Sequence, residues 1–336
     1  MSIGGHDATG YLEPCLLSFG YTDNASGKAD SIQLELQDRE GKWCDAWAPS
    51  KGTRVIASLR CLNWFGPGRH AALNCGVFSV DEVQFSGVPD KVSLKAVSAS
   101  LNNTLRETAK TRAWEGYSLQ GVAQEMAAQH GLTLLYDAPE HTFSRQDQRE
   151  ESDLSFLTRL SRERGVNVKV HDGKMALYGA KEADSKPGVL TIAKKGGQFS
   201  PTSYSFKEKS AGTAYSGCEV NYRDPATQQV YTYAFDAQGN RVQQASGDAR
   251  KIWSINQRVE SEADARKLAQ NSLRSKNGGE CTGSFEIMGH PGLVAGITVS
   301  LTGFGRFSGE YFVEKAEHKI GSGYTSSAEV RRVLSY

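Results

Sequence analysis

Proline is scarce in this chain, nine among 336 residues, and no charge sign is in excess: Lys plus Arg number 39 and Asp plus Glu 38. A formal net charge of +1 argues against a dedicated nucleic-acid binder, which carries a basic excess. It also leaves little long-range repulsion between copies, so self-association is permitted. No apolar run approaches the ~20 residues that cross a bilayer. The first ten residues lack the basic and apolar regions of a secretory signal, so work outside a cell would need another export route. The six cysteines (Cys15, Cys44, Cys61, Cys75, Cys218 and Cys281) contain no C-x-x-C pair, and no histidine stands at zinc-finger spacing from Cys61 and Cys75. They read as reduced, buried thiols of a protein folded in a cytoplasm.

Common catalytic signatures are missing as well: there is no H-E-x-x-H, no G-x-S-x-G and no P-loop. Gly303-Phe304-Gly305 is followed by strand-like residues, not by the helix a dinucleotide fingerprint opens. The carboxylate pairs Asp81/Glu82 and Glu150/Glu151 lie near turns or helix starts, where solvated or capping roles are expected rather than a glycosidase pair. Among seven scattered histidines, His290 and His318 fall in the same tail but without an acid or thiol cluster, a weak metal signal. Arg106, Lys110, Arg112 and Trp114 read as a strand's solvent face with one packed Trp rather than a nucleic-acid patch. Trp43, Trp47 and Trp64 are expected to pack a β domain and its loops. No catalytic, cofactor-binding or metal residue is therefore assigned, and no cofactor is expected.

What is present is glycine, 35 residues, and short alternating segments between turns. Ser31–Gln37, Arg54–Arg60, Val77–Val80 and Val92–Val97 read as strands, with turns at Asp38–Gly41 and Ser86–Asp90. From about Asn102 the pattern changes. Ser118 caps a helix with Leu119, Val122, Ala123, Met126 and Ala127 on one face, closed by Gly131. Ser152 or Asp153 caps a second, closed by Gly165, and Asp172-Gly173 joins two further strands. Glu182–Gly188 is charged and ends in Pro-Gly, as a linker would. Strands follow again, with a turn at Asp224-Pro225-Ala226 and one helix opened by Ser261-Glu262-Ala263-Asp264. The order is β-rich block, small α/β unit, β-rich block: mainly β with an α/β insertion.

Several segments resemble one family. Lys110-Thr111-Arg112-Ala113-Trp114, then Ser118-Leu119, then His130-Gly131-Leu132 is similar to the middle of the phage late control protein D family. Asp147-Gln148, Glu151–Leu157, Arg159-Leu160 and Gly165 resemble that family's most distinctive stretch. Gly292–Gly296, Gly303–Gly305, Gly309–Tyr311 and His318 continue the resemblance, and Tyr11–Pro14 with Asp23–Asp30 fits its prophage-type branch. It implies a contractile-tail baseplate hub related to the hub part of type VI secretion spike proteins. The fold implied is two tube-protein-like β-barrel domains, 1–101 and 187–336, the second carrying a helix at 261–276, with a small α/β domain at 102–186. The role implied is a homotrimer, a pseudo-sixfold ring joining the hexameric tail tube to a trimeric spike. Its expected partners are the spike or needle protein, a tube or tube-initiator protein, the tape-measure protein and baseplate wedge proteins, with no membrane or specific nucleic acid. Its expected place is the virion tail baseplate, assembled in the host bacterial cytoplasm. The competing readings are a tail-associated cell-wall hydrolase and a carbohydrate-binding adhesin.

Overall fold

The computed structural model describes residues 1–98, 103–223, 228–242, 251–257, 259 and 261–336. The change of character expected at Asn102 and the turn at Asp224–Ala226 lie outside the described residues.

Seven strands build the first block: β1 (Ser2–Ile3), β2 (His6–Asp7), β3 (Leu16–Asn24), β4 (Ser31–Gln37), β5 (Arg54–Cys61), β6 (Ala71–Ser86) and β7 (Lys91–Ser98), with a short helix α1 (Thr9–Leu12) before β3. Alternation sets which face is buried. In β5 every second residue, Val55, Ala57, Leu59 and Cys61, is inside. In β4, Ile32, Leu34 and Leu36 are fully inside, each contributing about 1.5–3 kcal/mol relative to exposure. Trp43, from the loop after β4, closes this core.

The α/β unit holds α2 (Asn103–Glu107), β8 (Ala109–Glu115), α3 (Leu119–Gln129), β9 (Thr133–Asp137), β10 (Arg145–Ser152), α4 (Asp153–Glu163), β11 (Val166–His171) and β12 (Lys174–Gly179). The expected caps are in place. Ser118 Oγ accepts from Gly121 N at 3.1 Å and Ser152 Oγ from Ser155 N at 3.3 Å. Gly131 and Gly165 end the two helices at φ +67° and +71°, a region that L side chains rarely adopt. Strands β11 and β12 form the Asp172-Gly173 hairpin, and β12 pairs β9 in parallel.

The charged stretch read as a linker begins instead with a helix, α5 (Ala180–Asp184). Its last residue, Asp184, is buried and held by two arginines. Charge in the sequence signalled solvent; here it marks a buried ion pair.

The last block contains β13 (Leu190–Ala193), β14 (Ser203–Glu208), β15 (Gly217–Arg223), β16 (Val230–Phe235), β17 (Ile252–Asn256), α6 (Glu262–Asn277), β18 (Cys281–Met288), β19 (Thr298–Thr302), β20 (Gly309–Ile320) and β21 (Tyr324–Arg332). Strands β15–β17 form a separate small sheet that α6 covers through Ala265, Leu268, Ala269 and Leu273. The other strands continue the first block's sheet. Strand β20 pairs β3 from Lys315↔Asn24 to Ile320↔Phe19, so one 13-stranded sheet runs through both β blocks.

Candidate functional site

The segment Asp23–Asp30, at the end of β3 and in the turn to β4, is where all three blocks meet. Asp23 is buried; it binds Lys169 of β11 through one oxygen and accepts from Ala295 N at 2.8 Å through the other. Buried Asp30 accepts from Asn24 N and bonds His171 Nδ1, each at 2.8 Å. Tyr178 donates to the carbonyl of Ala25 at 2.7 Å, and Ala25 N donates to Glu314 of β20 at 2.9 Å. Burial pushes the Asp23 carboxyl up from its ordinary range, with Lys169 pulling the other way. Removing one partner of such a buried pair leaves an uncompensated charge, so the seam is strongly specified. A second node lies nearby: Arg331 donates to both oxygens of Asp184, at 2.7 and 3.1 Å, and Arg274 approaches to 3.1 Å.

Sequence reasoning missed this seam. Lys169 and His171 alternate with Val168 and Val170 as a half-buried strand's solvent face would, and only the fold shows that face to be covered.

The carboxylates searched for chemistry do not converge on one site. Asp81 and Glu82 are exposed on β6. Glu150 is exposed at a bulge with its N–H directed to Thr111 Oγ1 at 3.3 Å, while Glu151 is held by Arg159, so the pair does not converge. Asp153 opens α4 and takes Gln148 at 3.0 Å, His130 at 2.9 Å and Lys110. Burial works against its charge, but those three donors together hold its carboxyl below the usual range. Arg112 lies 3.7 Å over the ring of buried Trp114 and bonds Glu125, a strand face over one packed Trp as the sequence reading expects.

Buried His318 donates from Nε2 to Leu293 O at 3.0 Å and accepts at Nδ1 from Tyr324 Oη at 2.8 Å; burial lowers its pKa to about 4, so it is neutral. His290 comes near it through Ser326, but both nitrogens of His318 are taken. Among the described residues no group of three or more His, Cys, Asp or Glu is placed to hold a metal. All six cysteines are free; Cys44 is exposed, and burial pushes Cys75 up to about 12.

Of the three tryptophans, Trp43 is buried and Trp64 donates to Gly289 O at 2.7 Å. Trp47 meets Tyr11 edge-on at 5.1 Å on the rim of a cleft of about 390 Å³.

Among the described residues, two stretches of the 13-stranded sheet are unpaired on one side and carry exposed apolar side chains. Strand β6 outruns β5: their ladder ends at Arg54↔Ser79, and β6 then bulges at Asp81. At the far end of the sheet, β14 has a neighbour on one side alone among the described residues.

Residues 93–324 match the family model described as the phage tail baseplate hub (GPD). The chain belongs to this family. A probable baseplate hub protein of Escherichia phage 186 is 24% identical over the whole of this chain and 92% of its own. A tail protein from Neisseria meningitidis superposes at a TM-score of 0.68 and 12% identity, covering 95% of this chain and 92% of that one. An Escherichia coli type VI secretion component, described as structurally similar to the T4 tail proteins gp27 and gp5, superposes at 0.56 and 9% identity over 96% and 74%. The hub chain's place is thus the baseplate of a phage tail, and its mainly β architecture recurs in tail and secretion proteins.

In this hub the charged side chains that join the blocks are Asp23, Asp30 and Asp184 with their partners, while the carboxylate pairs singled out in the sequence do not converge.

Proposed function

We propose that the hub acts without catalysis, three copies forming a pseudo-sixfold ring that joins the hexameric tail tube to a trimeric central spike. The observation that carries this reading is the β20–β3 ladder, which fuses two β blocks edge to edge within one chain. Two ring-building units per chain turn three copies into six positions. On this reading the blocks are two tube-like barrels, 1–101 and 187–336, separated by the α/β domain 102–186. The spike, tube or tube-initiator, tape-measure and wedge proteins are its partners, and assembly takes place in the host bacterial cytoplasm. Light scattering on the purified chain, alone and with its candidate spike protein, tests it. A three-copy mass, or a stable three-to-three complex, is expected; a single-chain mass in both samples would overturn the ring.

A second reading rests on the cleft beside Trp47, 38% exposed, and Tyr11, 59% exposed, whose faces would stack on a saccharide. Glycan-array binding that Trp47→Ala abolishes would support it; no binding would remove it.

A further inference from the structure

Both open edges carry apolar side chains on the face that should be covered. Val83 and Phe85 of β6 stand opposite Leu94 and Val92 of β7, and directly opposed residues share a face. Leu94 and Val92 are buried in the first core, yet Val83 is 37% and Phe85 52% exposed. On β14, Tyr204 stands opposite the buried Phe285 and is 46% exposed. Each edge therefore extends a core face past the end of its own core.

The backbone tells the same story. Ser98 N donates to Asp30 O, so alternate residues of β7 bond β4, and the others, including Lys95 and Ser93, bond β6. Their partners Glu82 and Gln84 are thus satisfied inward, while Val83 and Phe85 present N–H and C=O to the open side. On β14, Lys209 N donates to Glu280 O, so Ser205 and Lys207 bond β18, and Tyr204 and Phe206 face outward. The outward-facing backbone and the uncovered apolar side chains belong to the same residues on both edges.

From this complementarity we infer that β14 of one hub subunit pairs with the Glu82–Ser86 end of β6 of the next, the two strands adding to one another's sheets. The occupant is a second copy of this chain, because the two edges carry the same pattern, outward backbone groups and apolar side chains on alternate residues, and one such edge satisfies the other. On one face Val83 and Phe85 meet Tyr204 and Phe206; on the opposite face Glu82 and Gln84 meet Ser205 and Lys207. The overhang of β6 and the terminal strand β14 are different surfaces of one chain, so the contact is head-to-tail and closes into a ring if the rotation fits. The inference rests on the ring reading above and specifies its interface.

The test uses the full chain, with sedimentation at high protein concentration and circular dichroism to confirm folding. Phe85→Asp and Tyr204→Asp each place a charge at one edge, and each variant alone should sediment as a single chain. Mixed in equal amounts they should form a one-to-one pair that grows no further, because each retains the edge the other has lost. Val83→Pro removes an outward N–H without adding charge and should also lower the assembly. Leu135→Asp, at an exposed site on β9, should leave the three-copy mass unchanged. If the edge variants keep the wild-type three-copy mass, this interface is wrong and the ring stands on another surface. Single chains that fail to pair on mixing would also overturn it, as would variants that keep the ring but lose the spike complex, which would give the edges to the spike. A wild-type chain that stays single with and without spike would overturn ring and interface together.

Discussion

The seam around Asp23–Asp30 and the open edges of β6 and β14 solve opposite problems. In the seam, charged groups are buried and each has a partner: Asp23 with Lys169, Asp30 with His171, and nearby Asp184 with Arg331 and Arg274. At the edges, charge is sparse on the core-side face, and backbone groups and aromatic rings stand uncovered. A buried ion pair tolerates one arrangement because any other strands a charge in a low dielectric. A strand edge with apolar side chains is satisfied by another edge of matching pattern. The contrast suggests a division: contacts that must never open use charge, and contacts made during assembly use backbone and apolar surface.

The sharpest way to break the comparison is at Asp184. Asp184→Ala leaves Arg331 and Arg274 without their shared carboxylate and should cost about 3–5 kcal/mol, read by urea unfolding. A loss under about 1 kcal/mol would mean that the node is solvated and that the seam does not rest on charge.

Next in size is a pH effect. The imidazole of His318 is held near 4 against an ordinary 6.5, so the unfolded chain takes up a proton that the folded chain refuses. Its contribution is complete above about pH 6.5 and falls by about 3 kcal/mol as pH drops to 4. Unfolding at several pH values, compared with His318→Gln, should show the two curves converging toward acid.

Smaller still is Ser118→Ala, which removes the α3 cap and should cost about 1 kcal/mol in the same unfolding assay. At the bottom of the scale, Phe85→Asp should change the stability of the single chain by no more than about 0.5 kcal/mol while abolishing assembly. A large stability loss there would place Phe85 in the fold rather than on its rim.

Much of the fold could be read from the residues, and the reasons for the exceptions are physical. Alternation in Ser31–Gln37 and Arg54–Arg60 and the caps at Ser118 and Ser152 all correspond to the elements found, because each depends on neighbours in sequence. Strand β10 has the sequence RQDQREES, without one apolar residue, and was invisible to any hydrophobic pattern; it exists because β8 offers it a ladder. Strand β3 buries Phe19 and Tyr21 in alternation, a pattern of the same local kind. The seam and the open edges share a cause of illegibility. Whether Lys169 is covered, or Phe85 uncovered, depends on which strand lies beside it.

Strand β20 deserves a mechanical reading. Its Gly309–Phe312 end pairs β19, its Lys315–Ile320 end pairs β3, and Glu314 between them is an extra residue opposite β21. The two β blocks thus share one continuous length of backbone, bent at a single bulge. That bulge acts as a fixed elbow: deleting Glu314 would leave Val313 opposite Val330 and Lys315 opposite Glu329 but take out the extra residue that bends the strand between the two halves.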